Sequence, residues 1–447
     1  MHNAAEIFEV TGLTEKGDGI AQLGPRQIFI SGALPGETVS ARLTDIKPRY
    51  AQAEMISVLD ASKQRVAAFC KHHQCGGCQI AHLDYQAQLQ LKRQRLVAAL
   101  TKAGLTPAVA PCLGMATPLG FRNKALYSVQ ESGGGFEIGF YKKHSHQLVA
   151  ADDCPVQGAK VSALLTQVRQ WMQAFAISGY NEAKHSGQVR GIMVREGRNS
   201  GQWMLVLVAL TAHLPGLDDL RQRFREHCPW LSTLVLNINA EPGNRVLGFQ
   251  EQVLMGPGYI EEQLAALRFH VSAQSFFQIN PSQTEQLYAK ALEFAELTGK
   301  ERVFDLYCGA GSISLFLAAK AKEVIGVEVV AQAVADAKTN AALNGVENAH
   351  FYLGKAEQVV PALYQQGIRA DVVVVDPPRK GCDSALLNTL VAMAPKTLVY
   401  VSCDVDSLAR DLVILCQQGF VVDKVQPLDM FPHSLHVETL ARLTYKQ

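Results

Sequence analysis

Two residues near the C-terminus define the chemistry this chain could do. Cys403 lies in Val401-Ser-Cys-Asp404, at the tip of an apolar run that reads as a strand at the centre of a sheet. A thiol there is either inert, as expected for Cys308, Cys382 and Cys416, or a nucleophile facing a ligand cleft. A thiolate adding to C6 of a uracil would turn C5 into an enolate-like carbon, able to accept a methyl group from a sulfonium. A base must then take the C5 proton so that the thiolate can leave. The stretch Asp429-Met-Phe-Pro-His-Ser-Leu-His-Val-Glu438 offers His433, His436 and Glu438 for that step, the alternative for Glu438 being a surface acid in an antiparallel terminal strand. Asp404, next to Cys403, is expected to raise the thiol's pKa.

A second group of residues could hold a nucleoside cofactor. Val303-Phe-Asp-Leu-Tyr-Cys-Gly-Ala-Gly-Ser312 reads as a buried strand, a glycine loop and the start of a helix near Ile313. Gly309 and Gly311 let backbone N–H groups come close to a ligand at the start of that helix. The strand that comes next, Glu323 to Val329, carries Glu328, nineteen residues beyond Gly309, the spacing at which a carboxylate can take a pair of ribose hydroxyls. Asp376-Pro-Pro-Arg379 ends a valine strand, and its prolines can fix a carboxylate or carbonyl over a planar ring. Asp-Pro-Pro-aromatic motifs do this in amino-directed methyltransferases. Arg379 stands where the aromatic would be, which points to a different chemistry.

Cys70-Lys-His-His-Gln-Cys75-Gly-Gly-Cys78 places three thiols within nine residues around a Gly-Gly turn, with Cys154 as a fourth candidate. Four thiolates could hold a [4Fe–4S] cluster or a tetrahedral zinc. Three clustered ligands and one distant favour iron–sulfur, while His72, His73 and His82 keep zinc open. The chain has ten cysteines and no visible secretory signal at Met1-His-Asn-Ala, so metal or catalytic use is expected over a disulfide framework, in the cytoplasm. The longest apolar run, Met204 to Leu210, is far too short to span a bilayer.

The 447 residues suit two or three domains, and the net charge of +1 announces no nucleic-acid binder. Its distribution is uneven. Nine basic residues (Lys63, Arg65, Lys71, Lys92, Arg93, Arg95, Lys102, Arg122, Lys124) face the single acid Asp84 between Ala61 and Gln130, either to attract phosphates or as solvated faces.

The positioning elements are read from patterning. Residues 1–60 show five short strands (Ile7–Val10, Ile20–Leu23, Gln27–Ile30, Glu37–Leu43, Ala51–Val58) separated by turn signals, an OB-like β-barrel on which Arg42, Lys47, Arg49 and Tyr50 could meet RNA. Residues 61–265 form a central α+β domain: a basic helix over Tyr85–Ala103, a helix over Lys160–Phe175, a hairpin over Gly191–Leu210 and a strand over Leu231–Ile238, built on an antiparallel sheet. Residues 266–447 alternate strand and helix, with a helix over Gln332–Asn344, strands over His350–Leu353 and Asp371–Val375, a helix over Ala385–Met393 and a strand over Thr397–Val401. This is an α/β, doubly wound, Rossmann-like domain. Ligands sit beyond the carboxyl ends of such strands, where Tyr307, Glu328, Lys355, Asp376 and Cys403 fall.

Phe276-Phe-Gln-Ile-Asn-Pro281, Asp305-Leu-Tyr-Cys-Gly-Ala-Gly311, Asp376-Pro-Pro-Arg379, Val401-Ser-Cys403 and Asp429-Met-Phe-Pro-His433 with Glu438 together resemble the class I S-adenosylmethionine-dependent RNA 5-methyluridine methyltransferases. The resemblance spans nearly the whole chain. It implies a TRAM domain at the N-terminus and a [4Fe–4S] cluster on Cys70, Cys75, Cys78 and Cys154. It also implies Cys403 as nucleophile and Glu438 as base, with S-adenosyl-L-methionine bound by Gln278, Tyr307, Ser312, Glu328, Lys355 and Asp376. Glu328 would take the ribose hydroxyls, and Gln278 and Asp376 would also face a uracil flipped out of the RNA. The TRAM domain with the four cysteines implies the branch that acts on 23S rRNA, at uridine 1939, with transfer RNA or another rRNA uracil as the alternative. A monomer with no membrane association, whose helix at Tyr85–Ala103 packs on the catalytic domain, completes these expectations. The rivals are an exocyclic-amine methyltransferase built on Asp376-Pro-Pro and a non-catalytic RNA-binding assembly factor.

Overall fold

The computed structural model describes residues 5–446 except 73, 144 and 244. His73 and the Met1–Ala4 start therefore lie outside the described residues.

The N-terminal unit is a curled sheet of β1 (Glu6–Glu9), β2 (Gly12–Leu13), β3 (Asp18–Leu23), β4 (Arg26–Ser31), β5 (Thr38–Ile46) and β6 (Tyr50–Asp60), in the order β1-β5-β6-β4-β3-β2. Period-two burial puts Ile28, Ile30, Val39, Ala41, Ala51 and Ala53 inside. The five expected strands are present, and the short β2 is a sixth. Two of the residues expected to meet RNA are paired locally: Arg42 with Glu54 at 2.8 Å and Lys47 with Asp45 at 3.1 Å.

The central sheet contains β7 (Lys124–Ser132), β8 (Gly135–Tyr141), β9 (Leu148–Ala150), β10 (Val189–Glu196), β11 (Trp203–Ala209), β12 (Leu231–Ile238) and β13 (Gln250–Met255), in the order β13-β12-β11-β10-β7-β8-β9. It is mixed, which corrects the antiparallel expectation. β11 and β12 run parallel because a helix, Leu217–His227, carries the chain back across the sheet between them. That helix and the one at Val161–Ala174 cover one face with Leu164, Val168, Trp171, Leu220 and Phe224.

The C-terminal sheet contains β16 (Arg302–Leu306), β17 (Glu323–Glu328), β18 (Ala349–Leu353), β19 (Val372–Val375), β20 (Thr397–Ser402), β21 (Phe420–Leu428) and β22 (Glu438–Tyr445). A hairpin of β14 (Tyr259–Leu264) and β15 (Leu267–Ser272) precedes it and shares its core through Ile260, Leu264, Phe269 and Val271. The order is β18-β17-β16-β19-β20-β22-β21, parallel except that β22 runs antiparallel to both its neighbours. Its strands are nearly continuous apolar runs, such as Val372–Val375, because both faces are buried.

The helix Tyr85–Lys102, here α1, is remote in sequence but packs on this unit. Its N-terminus is capped by Asp84, whose carboxylate accepts from the N–H groups of Gln86 and Ala87. Leu96 and Leu100 enter the same core as Leu408, Leu412, Leu415 and Val425, each contributing roughly 1.5–3 kcal/mol. Among the described residues no helix is long and apolar enough to cross a membrane.

Candidate active site and four-cysteine site

The sheet topology assembles the active site. In parallel strands all carboxyl ends lie at one rim, so Tyr307 follows β16, Glu328 ends β17, Lys355 comes two residues after β18, Asp376 follows β19 and Cys403 follows β20. β22 runs the other way, so its first residue reaches the same rim. Ser402 pairs with Thr439, which places Glu438 beside the exit of Cys403. Glu438 is buried, 2% exposed, while Cys403 and Asp376 are half-buried.

The three groups set one another's protonation. Burial, then the Glu438 and Asp376 carboxylates, push the Cys403 thiol up to about 11, with the Arg379 guanidinium pulling the other way. Burial and Asp376 hold Glu438 well above the usual carboxylate range, and burial raises Asp376 to about 6. The Asp376 charge thus favours the protonated form of Glu438. The thiol is raised as expected, but not chiefly by Asp404. That carboxylate caps the helix at Val405–Gln417, accepting from the Ser407 N–H at 2.9 Å. Of the other candidate bases, His433 is buried, with its ring nitrogens against the Pro118 carbonyl (2.9 Å) and the Gln88 amide (3.3 Å), and is committed to packing. His436 lies near Arg379 and Asp404. Cys308 and Cys382 are buried and Cys416 half-buried, and burial raises all three thiols, to about 12 for Cys382.

The residues expected to take the cofactor line the other half of the rim. Tyr307 has φ 67°, in the left-handed region, held there while its N–H and that of Cys308 donate to the Val327 carbonyl. Gly309 has φ 55° and open space above its Cα, so its backbone is bare to a ligand. Glu328 accepts from Gly309 N–H at 3.1 Å and Val330 N–H at 2.8 Å, which orients its carboxylate and leaves lone pairs for ribose hydroxyls. Gln278 is buried, and Asn123 donates to its backbone carbonyl at 3.0 Å. Ser312 hydrogen-bonds the buried Tyr288 at 2.7 Å, so its hydroxyl is already engaged. Lys355 is exposed at the start of the helix Ala356–Gln365. These groups fit a nucleoside with a charged tail. Reading the motifs missed Asp305 as a titrating neighbour. It is buried, raised to about 7 and accepts from Ser314, and only its total burial marks it out.

The four cysteines converge at a different place, on the wall of a cavity of about 1310 Å³ between the N-terminal barrel and the central sheet. Asp153 clasps the two segments, pairing with His72 at 2.9 Å and Lys71 at 3.2 Å, and so brings Cys154 to the Cys70–Cys78 loop. Cys75 is held by a bridge to Lys142, and the His72 N–H reaches Cys70 Sγ at 3.4 Å. Burial and the neighbouring cysteines raise Cys78 to about 12; Cys154 is raised to about 11 by burial and by Cys75 and Cys70, with Arg122 the opposing cation for both. Four half-buried thiols facing one cation are a donor set chemically suited to a soft metal centre. Among the described residues no group of three or more His, Cys, Asp or Glu is placed to hold a metal ion. His82 is driven to about 4 by burial and Arg65.

The basic run between Ala61 and Gln130 is largely spent on the fold. Lys92 is buried, Arg122 faces the cysteines, Arg65 pairs with Glu37, and Arg93 and Arg95 donate to main-chain carbonyls.

A family model described as tRNA (uracil-5-)-methyltransferase matches residues 248–446, and one for the TRAM domain matches residues 9–56. Curated relatives include an uncharacterized RNA methyltransferase of Halalkalibacterium halodurans, 44% identical across 99% of this chain and 98% of its own. Another, from Clostridium tetani, is 42% identical across 99% and 97%. Among solved structures, the Pyrococcus abyssi tRNA (uracil-54, C5)-methyltransferase in complex with S-adenosyl-L-homocysteine superimposes with a TM-score of 0.80 at 27% identity, covering 98% of this chain and 99% of that one.

Proposed function

The chain belongs to the RNA uracil-5-methyltransferase family, with S-adenosyl-L-methionine as methyl donor, and from that premise we propose that it methylates C5 of a uracil in 23S rRNA, at uridine 1939. The observation that carries the chemistry is the meeting of Cys403, Asp376 and Glu438 at one rim of the sheet.

In this reading Cys403 Sγ, after losing its proton to solvent, adds to C6 of the extruded uracil, and the C5=C6 pair moves onto C5. Arg379 favours the thiolate against the two carboxylates. Bound S-adenosyl-L-methionine supplies the electrophilic methyl carbon that C5 takes. The Glu438 carboxylate then takes the C5 proton, that bonding pair re-forms C5=C6, and the thiolate leaves with its electrons. The Asp376 charge raises the proton affinity of Glu438, and the Pro377-Pro378 turn fixes where the Asp376 carboxylate stands over the base. Gln278 pairs with the uracil edge, and Tyr307 and Glu328 hold the donor.

We also assign Cys70, Cys75, Cys78 and Cys154 as ligands of a [4Fe–4S] cluster with a structural role. All four iron corners then carry a thiolate, so none is open to substrate. Visible absorbance with iron bound in stoichiometric amount supports this, and stoichiometric zinc without it overturns it.

The target within RNA rests on the combination of TRAM domain and four cysteines. A transfer-RNA uracil is the second reading, favoured by the activity named for the Pyrococcus abyssi protein. The deciding experiment incubates the protein and labelled S-adenosyl-L-methionine with unmodified 23S rRNA and, separately, transfer RNA, and maps the product by mass spectrometry. 5-Methyluridine at one 23S site, lost in Cys403→Ala, is expected. Label only in transfer RNA moves the substrate, and a methylated amine that survives Cys403→Ala overturns the mechanism.

A further inference from the structure

Glu438 reaches the rim at the end of a loop, Asp429–Val437, that joins β21 to β22. The loop is held chiefly by α1, whose Tyr85, Gln88, Lys92 and Arg95 fall on one helical face at spacings of three, four and three. The Tyr85 hydroxyl donates to Asp429 at 2.8 Å. Lys92, fully buried, donates to the equally buried Asp429 carboxylate and to the Phe431 carbonyl at 3.0 Å. Gln88 accepts from the His433 N–H at 2.9 Å, and Arg95 donates to the Leu435 carbonyl. The segment just past the cysteine loop joins in. Ile80 N–H donates to the His433 carbonyl at 3.0 Å, and Ile80, Leu83 and Ala87 bury Leu435 together with Leu34 of the barrel. His433 itself sits at φ 65°, a backbone state that L side chains rarely hold without such anchoring.

Cys403 is anchored differently, between β20 and the helix that Asp404 caps. Nucleophile and base thus depend on separate supports. A buried lysine–aspartate pair is a costly way to tie a helix to a loop, and the need to fix Glu438, the first residue past that loop, accounts for it.

We propose that the Tyr85–Gln88–Lys92–Arg95 face of α1 is a positioning device for Glu438, whose loss slows proton removal from C5 while leaving thiol addition and methyl transfer intact. The inference rests on the reading of Glu438 as the base. A displaced carboxylate cannot take the C5 proton, so C5=C6 does not re-form and Cys403 Sγ stays bonded to C6. The variants therefore collect as a methylated protein–RNA adduct.

The test compares Lys92→Met, Tyr85→Phe and Arg95→Met with Glu438→Gln as reference, in the full-length protein with its metal content verified. Methyl incorporation in the first turnover, steady-state turnover and adduct on a denaturing gel are measured together. For Lys92→Met the first-turnover amplitude is expected to hold while turnover falls about 10- to 100-fold and the adduct accumulates. Tyr85→Phe and Arg95→Met are expected to show the same pattern more weakly, and they decide the matter if Lys92→Met does not fold. First-turnover amplitude and turnover falling together, without adduct, overturn the proposal, because a merely structural defect removes active protein from both. If Glu438→Gln itself forms no adduct, the base reading fails. If it does while none of the α1 variants does, only this inference fails.

Discussion

Two sets of thiols in this protein look alike by acidity and differ in everything around them. Cys403 is pushed to about 11, Cys154 to about 11 and Cys78 to about 12, and each has one arginine opposing the shift, Arg379 at the rim and Arg122 at the four-cysteine site. Burial raises all three most, and what separates them is the charged neighbour that adds to it. Beside Cys403 the raising charges are Glu438 and Asp376, carboxylates that can themselves take up and return a proton. Beside Cys78 they are other cysteines, which can only repel until a cation holds them together. A high thiol pKa alone marks neither a nucleophile nor a ligand. The chemistry of the neighbours does.

Breaking the comparison at the rim has the largest expected effect. Cys403→Ala takes methyl incorporation to background while leaving metal content as in the parent protein, checked by labelled-donor assay and metal analysis on the same sample. Glu438→Gln lowers turnover about 10²–10⁴-fold and leaves protein covalently attached to RNA, visible on a denaturing gel. At the other site, Cys78→Ser removes one of the four thiols assigned to the proposed cluster without touching the nucleophile. A loss on the order of 3 kcal/mol would lower the melting midpoint by roughly 6–12 °C, while the rate of Cys403 alkylation holds.

The smallest effects sharpen the comparison. Arg379→Ala removes the cation that lowers the Cys403 thiol, so the pH profile of its alkylation moves to more alkaline pH by up to about one unit. The sign of the overall pH dependence comes from the same groups. Asp376 is raised to about 6, Cys403 to about 11 and Glu438 well above the usual carboxylate range, so raising the pH from about 6 to about 9 ionises Asp376, favours the Glu438 carboxylate and increases the thiolate fraction together. Methyl transfer with constant substrate binding therefore climbs across that range, and a fall above about pH 7 would contradict the assignment of both groups.

Much of the fold was legible in the chain. The strand–loop–helix around Gly309, the acid at Glu328, the valine strand before Asp376 and the helix at Tyr85 are local patterns. Backbone sterics, side-chain periodicity and burial act over a few residues, so reading them needs no knowledge of distant neighbours. The mixed character of the central sheet was not legible, because the direction of β12 is set by a crossover helix. Nor was the fate of the basic run, since a lysine on an amphipathic helix looks the same whether it faces solvent or, like Lys92, a buried aspartate more than three hundred residues away.

The sequence by itself determined which residues could react and which loop could admit a nucleoside, because residue type and short-range spacing carry that information. Only the tertiary structure decided that they meet. The reversed β22 inserts between β20 and β21 and brings Glu438 to the exit of Cys403, and Asp153 draws Cys154 to the other three cysteines. Both outcomes depend on strand direction and loop closure across long separations, where the energy lies in pairing and burial distributed over whole elements rather than in any residue that a motif could name.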